Sequence, residues 1–148
     1  AIPEDERSDL IAAYHRRLFS GDRATEARFA RQWAAWENAL ASIHNDGAPG
    51  DPPADYTRAF ARIENHYFIN KAFLQEDGQI LRDLPRLKEI PGTIVQGRYD
   101  MICPPVSAWR LAEGWKRAKL LMIPQAGHAL SEPGISAELV RIMDGLRL

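Results

Sequence analysis

Two short apolar runs, each followed by a glycine-containing turn, constrain the fold of this chain more than any other feature. Residues 93–95 are β-branched throughout and follow Pro91 and Gly92, which is typical of a buried parallel strand. Residues 120–123 predict a second strand. The segment 105–115 between them has helical spacing, and its apolar face comprises Val106, Trp109, Leu111, Ala112 and Trp115. A strand, a helix and a second strand in this order normally form two neighbouring parallel strands.

One titratable residue follows each predicted strand. Asp100 comes after the first and His128 after the second. Side chains just beyond the carboxyl ends of parallel strands line the ligand crevice of an open α/β sheet, so we expect both residues at the same rim. A carboxylate that accepts from one imidazole nitrogen fixes the tautomer, and the other nitrogen can take a proton from a nucleophile. The alternative is that Asp100 belongs to an ordinary turn and His128 to an ordinary loop.

Composition limits the classes of partner. The 148 residues suit one domain, or one domain with part of another. A net charge of −1, from 19 basic and 20 acidic residues, argues against nucleic acid or an anionic membrane as the main partner. No apolar run reaches the length of a membrane span, and the single Cys103 is compatible with a reducing cytoplasm, where we expect the protein. We expect no metal or other cofactor, since no ligand spacing relates the four histidines, His15, His44, His66 and His128, to Cys103 or to an acidic cluster.

Predicted helices precede the α/β segment. The apolar spacing predicts helices at about 4–19, 22–44 and 56–69, a loop over 45–54, and a last helix after Gly134. Fold class is therefore α/β, with a helical part over residues 1–75 followed by an α/β part over 76–148. Two parallel strands cannot close a sheet core alone, and the chain opens on Ala1 without an initiator Met. We therefore expect the C-terminal part of a longer polypeptide, with an incomplete sheet.

Two carboxylates border the apolar stripes of the predicted helices. Glu37 follows Trp36 and lies four residues after Trp33, and Glu64 lies four residues after Phe60. A carboxylate beside aromatic side chains loses solvent and needs hydrogen-bond donors or a cation. A pocket that captures a ligand ammonium would explain both residues. The alternative is a pair of solvated surface glutamates. The predicted inward positions also include Ile63, Tyr67, Ile135, Leu139, Ile142, Met143 and Leu146.

Four separated segments resemble the proline iminopeptidases (prolyl aminopeptidases). Residues 33–37 (WAAWE) and 61–68 (ARIENHYF) resemble the cap-domain signature of that family. Residues 97–104 (GRYDMICP) and 126–128 (AGH) match its acid and histidine segments. The four motifs occur in the family's order. Together they cover the chain from about residue 20 to its end.

The resemblance implies a serine peptidase of the α/β-hydrolase fold that removes an N-terminal proline from small peptides. It also implies that residues 1–75 are part of a helical cap domain and that residues 76–148 are the C-terminal portion of the α/β-hydrolase catalytic domain. By this resemblance Asp100 is the triad acid and His128 the triad base. Glu37 and Glu64 would bind the protonated imino group of the substrate's N-terminal proline. Cys103 would lie near the active site, where the cysteine of this family is associated with sensitivity to thiol reagents. The alternative for Cys103 is a small buried hydrophobic residue in a turn.

The chain departs from the family in lacking its nucleophile. Neither the Gly-x-Ser-x-Gly elbow nor the upstream His-Gly-Gly-Pro-like loop occurs, and no serine has the elbow's context: Ser8, Ser20, Ser42, Ser107, Ser131 and Ser136. We therefore expect the serine on a missing N-terminal half, in the same or a separate chain. The isolated chain is expected to be inactive.

Two other functions remain open. An α/β-hydrolase of an ester, epoxide or lactone would share the Asp and His segments but not the context of Glu37 and Glu64. A requirement for a free substrate amine separates it from the peptidase. The third possibility is a catalytically incomplete fragment or binding module, whose incomplete sheet would expose a large apolar edge and face.

Overall fold

The computed structural model describes residues 2–43 and 52–146, and the chain forms two compact units. The helical unit comprises Ala1–Glu37 with Gly47–Gln75, and the α/β unit comprises Asn38–Asp46 with Glu76–Leu148. The described α-helices and strands are α1 (Leu10–Leu18), α2 (Arg23–Ala41), α3 (Ala54–Ile69), α4 (Gln79–Arg82), β1 (Gly92–Gly97), α5 (Pro105–Gly114), β2 (Ala118–Ile123) and α6 (Pro133–Gly145). Short 3-10 turns occupy Glu4–Glu6, Lys71–Phe73 and Leu84–Leu87. The predicted helix end near His44 and most of the predicted loop over 45–54 lie outside the described residues.

The first α-helix begins later than the predicted start at residue 4. Glu4–Glu6 form a separate 3-10 turn, and α1 starts at Leu10. The reason is a helix cap, because the carboxylate of Asp9 accepts the backbone N–H of Ala12 at 2.9 Å. The second helix begins at Arg23, one residue after the predicted start at about 22.

The core of the helical unit is aromatic and lies between α1, α2 and α3. Tyr14 packs edge-on against Phe29 and Trp33, with ring centroids 5.9 and 5.3 Å apart. Edge-to-face pairs of this kind add to the stabilisation from burial alone. The buried members of this core are Ile2, Ala13, Leu18, Phe29, Ala30, Trp33 and Ala61.

The buried face of α3 differs from the predicted one. Ile63 and Tyr67, predicted to face inward, are 60% and 51% exposed. Thr57, Ala61 and Asn65 are buried instead, one helical turn apart. The helix packs through small and hydrogen-bonded residues, which a search for large apolar side chains does not select. The same correction applies to other positions on the predicted apolar faces that are exposed here: Val106, Trp109, Met143 and Leu146.

Asn65 joins α3 to α1 through a completely buried side chain. Its Nδ2 donates to the carbonyl oxygen of Ile11 at 3.0 Å. Its Oδ1 lies 2.8 Å from Nδ1 of His15 and accepts the proton on that nitrogen. Because both ends of the amide are paired, the polar group can be buried without the cost of an unmade hydrogen bond.

Glu26 is a buried carboxylate that the sequence analysis did not single out. It accepts hydrogen bonds from Arg58 and Arg62, and from the backbone N–H of Gly21 at 3.0 Å. The hydrogen bond from Arg58 lowers the pKa of Glu26, and it outweighs burial, which acts in the opposite direction. This carboxylate therefore ties α2 to α3.

We expect acidification to remove the stabilisation that Glu26 provides. Its pKa in the folded state lies below the ordinary value, so its contribution is present above the unfolded-state pKa and is lost as the pH falls through the folded-state pKa. Glu26→Gln should lower the free energy of unfolding, measured with urea, by about 2 kcal/mol at pH 7. The loss should shrink at acid pH. As a control, Asp55→Asn breaks an exposed pair with Arg23 and should cost under about 1 kcal/mol. An equal loss for Glu26→Gln at both pH values would contradict the assignment.

Three consecutive residues after α3 adopt left-handed backbone conformations. Lys71, Ala72 and Phe73 have φ values of 52°, 52° and 59°. Because only glycine adopts this region without steric cost, Ala72→Gly should raise the free energy of unfolding by about 1 kcal/mol. The same substitution at Ala59, on the exposed side of α3, should lower it by about 1 kcal/mol. Urea titrations of both variants check the prediction, and a loss of stability at Ala72 would contradict it.

The α/β unit contains the predicted strand, helix and strand. β1 and β2 pair in parallel, from Gly92 opposite Ala118 to Gly97 opposite Ile123. Within residues 2–43 and 52–146 this is an open two-stranded sheet. The coarse prediction of part of an α/β fold is therefore confirmed. The predicted strand 93–95 is half-buried or exposed at its individual positions rather than fully buried, because so narrow a sheet offers little surface for covering helices.

Candidate active site

The turns after β1 and β2 bring Asp100 and His128 together. Nδ1 of His128 lies 3.0 Å from Oδ2 of Asp100. Gly97 and Ile123 are paired at the carboxyl ends of their strands, so both turns leave the sheet at the same edge. The side chain of His128 is 40% exposed and that of Asp100 only 6%. The pair therefore combines a buried acid with an accessible imidazole, whose Nε2 is the unprotonated nitrogen when Nδ1 donates to the carboxylate.

The Asp100 carboxylate is held on both of its oxygens. Oδ1 accepts the backbone N–H of Ile102 at 3.0 Å and that of Cys103 at 2.7 Å. Oδ2 accepts from Nε2 of Gln96 at 3.1 Å, in addition to its contact with His128. Burial raises the pKa of Asp100, but the hydrogen bonds from Cys103 and His128 outweigh it and the net pKa is lowered. Asp100 therefore keeps its negative charge at neutral pH.

Gln96 is a site residue that the sequence analysis missed. Besides Asp100, its Nε2 contacts the carbonyl oxygens of Gly97 at 3.1 Å and Cys103 at 3.2 Å. The amide thus braces the turn that presents the acid. The signal in the sequence was a polar residue at the end of an otherwise apolar strand.

Two glycines allow the turns to approach each other closely. A Cβ on Gly97 would lie 1.9 Å from the carbonyl oxygen of Gly127. A Cβ on Gly127 would lie 2.8 Å from the carbonyl oxygen of Ala41. Backbone atoms occupy both spaces, and a backbone cannot move aside as the end of a flexible side chain can. The glycine-containing turns are therefore a packing requirement of the site.

Replacing Gly97 with alanine is expected to lower the free energy of unfolding by about 3 kcal/mol, because the new methyl group overlaps the backbone of Gly127. Urea denaturation measures the loss. Gly145→Ala serves as the control, since a Cβ there meets no atom of residues 2–43 and 52–146 within 4 Å and alanine is favoured in a helix. Equal, small effects of the two substitutions would contradict the close approach.

Cys103 is exposed, and its backbone N–H donates to Oδ1 of Asp100. The interpretation as a small buried hydrophobic residue is therefore wrong. The turn from Asp100 to Cys103 is tight because Oδ1 of Asp100 accepts two of its backbone N–H groups, those of Ile102 and Cys103.

Glu37 and Glu64, the two candidate amine-binding carboxylates, both border Trp33 in the helical unit. Oε2 of Glu64 accepts from Nε1 of Trp33 at 2.7 Å. Glu37 lies one turn after Trp33 on α2 and lines, with Trp33 and Trp36, a pocket of about 540 Å³. Glu64 is not among the residues described as lining that pocket. Trp33 thus donates a hydrogen bond to Glu64 and lines the same pocket as Glu37.

The described part of the chain offers neither a metal cluster nor a membrane span. In residues 2–43 and 52–146, no three His, Cys, Asp or Glu side chains come together where they could hold a metal ion. None of the helices described in these ranges has both the length and the apolar composition needed to cross a bilayer.

Fold and site together define a class of protein: part of an α/β fold with a candidate acid–base pair at the carboxyl ends of parallel strands. No protein-family model matches the chain. Among curated proteins, it is 48% identical over 147 residues to the proline iminopeptidase of Xanthomonas citri, covering 98% of this chain and 47% of that protein. The identity is 46% over 142 residues with the proline iminopeptidase of Arabidopsis thaliana, covering 94% and 37% respectively. With the proline iminopeptidase of Neisseria gonorrhoeae the identity is 39% over 145 residues, covering 98% of this chain and 46% of that protein.

The chain spans less than half the length of these curated relatives but aligns over nearly all of its own length. It therefore resembles the C-terminal half of the proline iminopeptidases, and the resemblance predicted from the four motifs is confirmed.

Proposed function

We propose that this chain supplies the C-terminal half of a serine peptidase that releases N-terminal proline from small peptides. The observation that carries the proposal is the 3.0 Å contact between Nδ1 of His128 and Oδ2 of Asp100 at the strand ends. In this function Asp100 is the triad acid and His128 the general base. The names and lengths of the curated relatives support the substrate and the existence of a preceding half.

The chemistry is acyl transfer. Nε2 of His128 takes the proton from a serine hydroxyl as the serine oxygen attacks the carbonyl carbon of the N-terminal proline. The protonated imidazole, stabilised by Asp100, then gives that proton to the leaving amine. Water, activated by the same imidazole, hydrolyses the acyl-enzyme and releases proline. The serine belongs to an N-terminal half, in the same polypeptide or in a separate chain.

Residues 1–75 are, in this function, part of the cap, and they select the substrate through its charge. The carboxylates of Glu37 and Glu64 bind the secondary ammonium of the N-terminal proline, and Trp33 and Trp36 wall the pocket. Support comes from the bond between Glu64 and Trp33 and from the presence of Glu37 in the wall of the apolar pocket. An acylated proline nitrogen carries no charge and would not neutralise the negative charge of these carboxylates, so acylated substrates are rejected.

Two further assignments belong to this function. Cys103 lies beside the acid turn, where a bulky thiol reagent would obstruct the substrate without the thiol acting as nucleophile. The protein works in the cytoplasm, a compartment compatible with its single cysteine.

The test compares a chromogenic proline arylamide with its N-acetylated analogue. The proteins are this chain alone and the chain joined to the N-terminal half of the Xanthomonas citri relative, called here the assembled peptidase. We expect the assembled peptidase to cleave only the free-amine substrate and the chain alone to cleave neither. Cleavage of ester or acylated substrates at equal rates would instead indicate another α/β-hydrolase. A folded assembly without any hydrolysis would favour a binding module.

A further inference from the structure

The turn that carries His128 is anchored to the end of α2. Ala41 is the last residue of this helix, and its carbonyl oxygen accepts the backbone N–H groups of His128 at 2.7 Å and Ala129 at 2.8 Å. The last carbonyls of a helix have no acceptor role within the helix, so this oxygen is available to another segment. The end of α2 therefore holds the backbone of the histidine itself.

A buried glutamate makes a second connection between the same two segments. Glu132, four residues after His128, is only 3% exposed. Its Oε1 accepts the hydroxyl of Ser42 at 2.6 Å and the backbone N–H of Ile43 at 3.0 Å. Its side chain does not cap α6, although Glu132 stands at the N-terminal boundary of that helix. A carboxylate taken out of water is costly unless donors surround it, and here the donors come from the residues that follow Ala41.

We infer that Glu132 is a positioning residue for His128. By holding Ser42 and Ile43 against the turn, its carboxylate keeps the Ala41 carbonyl where it receives the N–H of His128. The backbone of the turn is then fixed, and Nδ1 of the imidazole lies within hydrogen-bond distance of Oδ2 of Asp100. The geometric part of this inference stands on the described contacts alone, whereas its consequence for catalysis rests on the proposed function.

The connection is more than a general packing contact, because its bonds come from consecutive residues. Ala41, Ser42 and Ile43 each take part, and their partners all lie within the five residues from His128 to Glu132. Gly127, immediately before the histidine, also approaches the Ala41 carbonyl so closely that a Cβ would lie 2.8 Å from that oxygen. A small displacement of residues 41–43 must therefore move the imidazole.

The test uses this 148-residue chain, labelled with ¹⁵N, and reads the tautomer of His128 from its ring-nitrogen chemical shifts at alkaline pH. The wild-type chain should show the Nδ1–H tautomer, as the contact with Asp100 requires. In Glu132→Ala that signal should be lost in favour of the Nε2–H form, while the other histidines stay unchanged. Glu132→Gln should restore it, because an amide oxygen can accept the same two hydrogen bonds.

Two more variants make the result decisive. Ser42→Ala removes one donor and should shift the His128 signals in the same direction but less far, and it serves if Glu132→Ala does not fold. Glu138→Ala removes a carboxylate on α6 that pairs with Arg141 and should leave the tautomer unchanged. Folded Glu132→Ala or Ser42→Ala protein with wild-type His128 signals would overturn the inference.

The readout distinguishes this inference from the proposed function, since it needs neither nucleophile nor substrate. If the tautomer responds as expected and the assembled peptidase shows no hydrolysis, the proposed function fails and the positioning role stands. If the tautomer responds as expected and the assembled peptidase does hydrolyse its substrate, Glu132→Ala in the assembled peptidase should lower kcat about 100-fold with little change in KM. A change in KM alone would contradict positioning of the base.

Discussion

Asp100→Asn is expected to lower kcat of the assembled peptidase about 10⁴-fold, with the proline arylamide as substrate. Asparagine keeps the size and shape of the side chain but replaces a carboxylate oxygen with an amide. Oδ2 of Asp100 accepts from Nδ1 of His128 at 3.0 Å, and an amide NH₂ in that place would favour the wrong histidine tautomer. It would also provide no negative charge for the imidazolium that forms during acyl transfer.

The measurement is the steady-state kcat of the wild-type and variant enzymes, with folding verified by circular dichroism. Asp77→Asn is the matched control, because Asp77 is an exposed carboxylate of the same unit. Activity of Asp100→Asn within tenfold of the wild type would refute the role of the acid. The lowered pKa of Asp100 adds a pH expectation: protonation of this carboxyl should reduce activity only below its ordinary value of 3.8.

Glu64→Gln should lower kcat/KM for the free-amine substrate by about 100-fold or more, because a buried ammonium loses one of its charge partners. Glutamine retains an oxygen that can accept the Trp33 indole N–H, so the fold of the helical unit should persist. Selectivity is the sharper readout. The ratio of rates for the free and N-acetylated substrates should fall, since the variant loses its preference for a charged nitrogen.

Glu37→Gln should act in the same direction, and the two substitutions should be non-additive if both carboxylates hold the same ammonium. Glu76→Gln, which changes a carboxylate exposed to solvent, is the control. A lower free energy of unfolding for Glu64→Gln together with unchanged substrate selectivity would assign Glu64 a purely structural role.

The parallel strand pair was predictable because its signals are local. A β-branched run, a helical stretch and a second apolar run specify the elements in order, and right-handed crossover geometry then makes the strands parallel. The turns after them place Asp100 and His128 at one edge of the sheet, and the structure separates Nδ1 and Oδ2 of this pair by 3.0 Å. The four sequence motifs and their order indicated a resemblance to the proline iminopeptidases.

Helix faces were less predictable. Periodicity correctly indicated α3 but selected Ile63 and Tyr67 as inward, whereas Ala61 and Asn65 are buried. An apolar stripe shows which side chains can be buried. It does not show which side the neighbouring helix occupies, and small residues that permit close approach give a weak signal in any hydrophobicity count.

The buried polar contacts were decided by the tertiary structure. Glu26 pairs with Arg58, Asn65 with Ile11, and Glu132 with Ser42, across 32, 54 and 90 positions of the chain. In the sequence each of these residues resembles a surface residue, because its burial becomes favourable only when a distant donor or acceptor arrives to replace water. Local periodicity therefore determined the strands, the crossover and the edge that carries Asp100 and His128. The bonds that hold the turn of His128 formed only when the distant residues 41–43 packed against it.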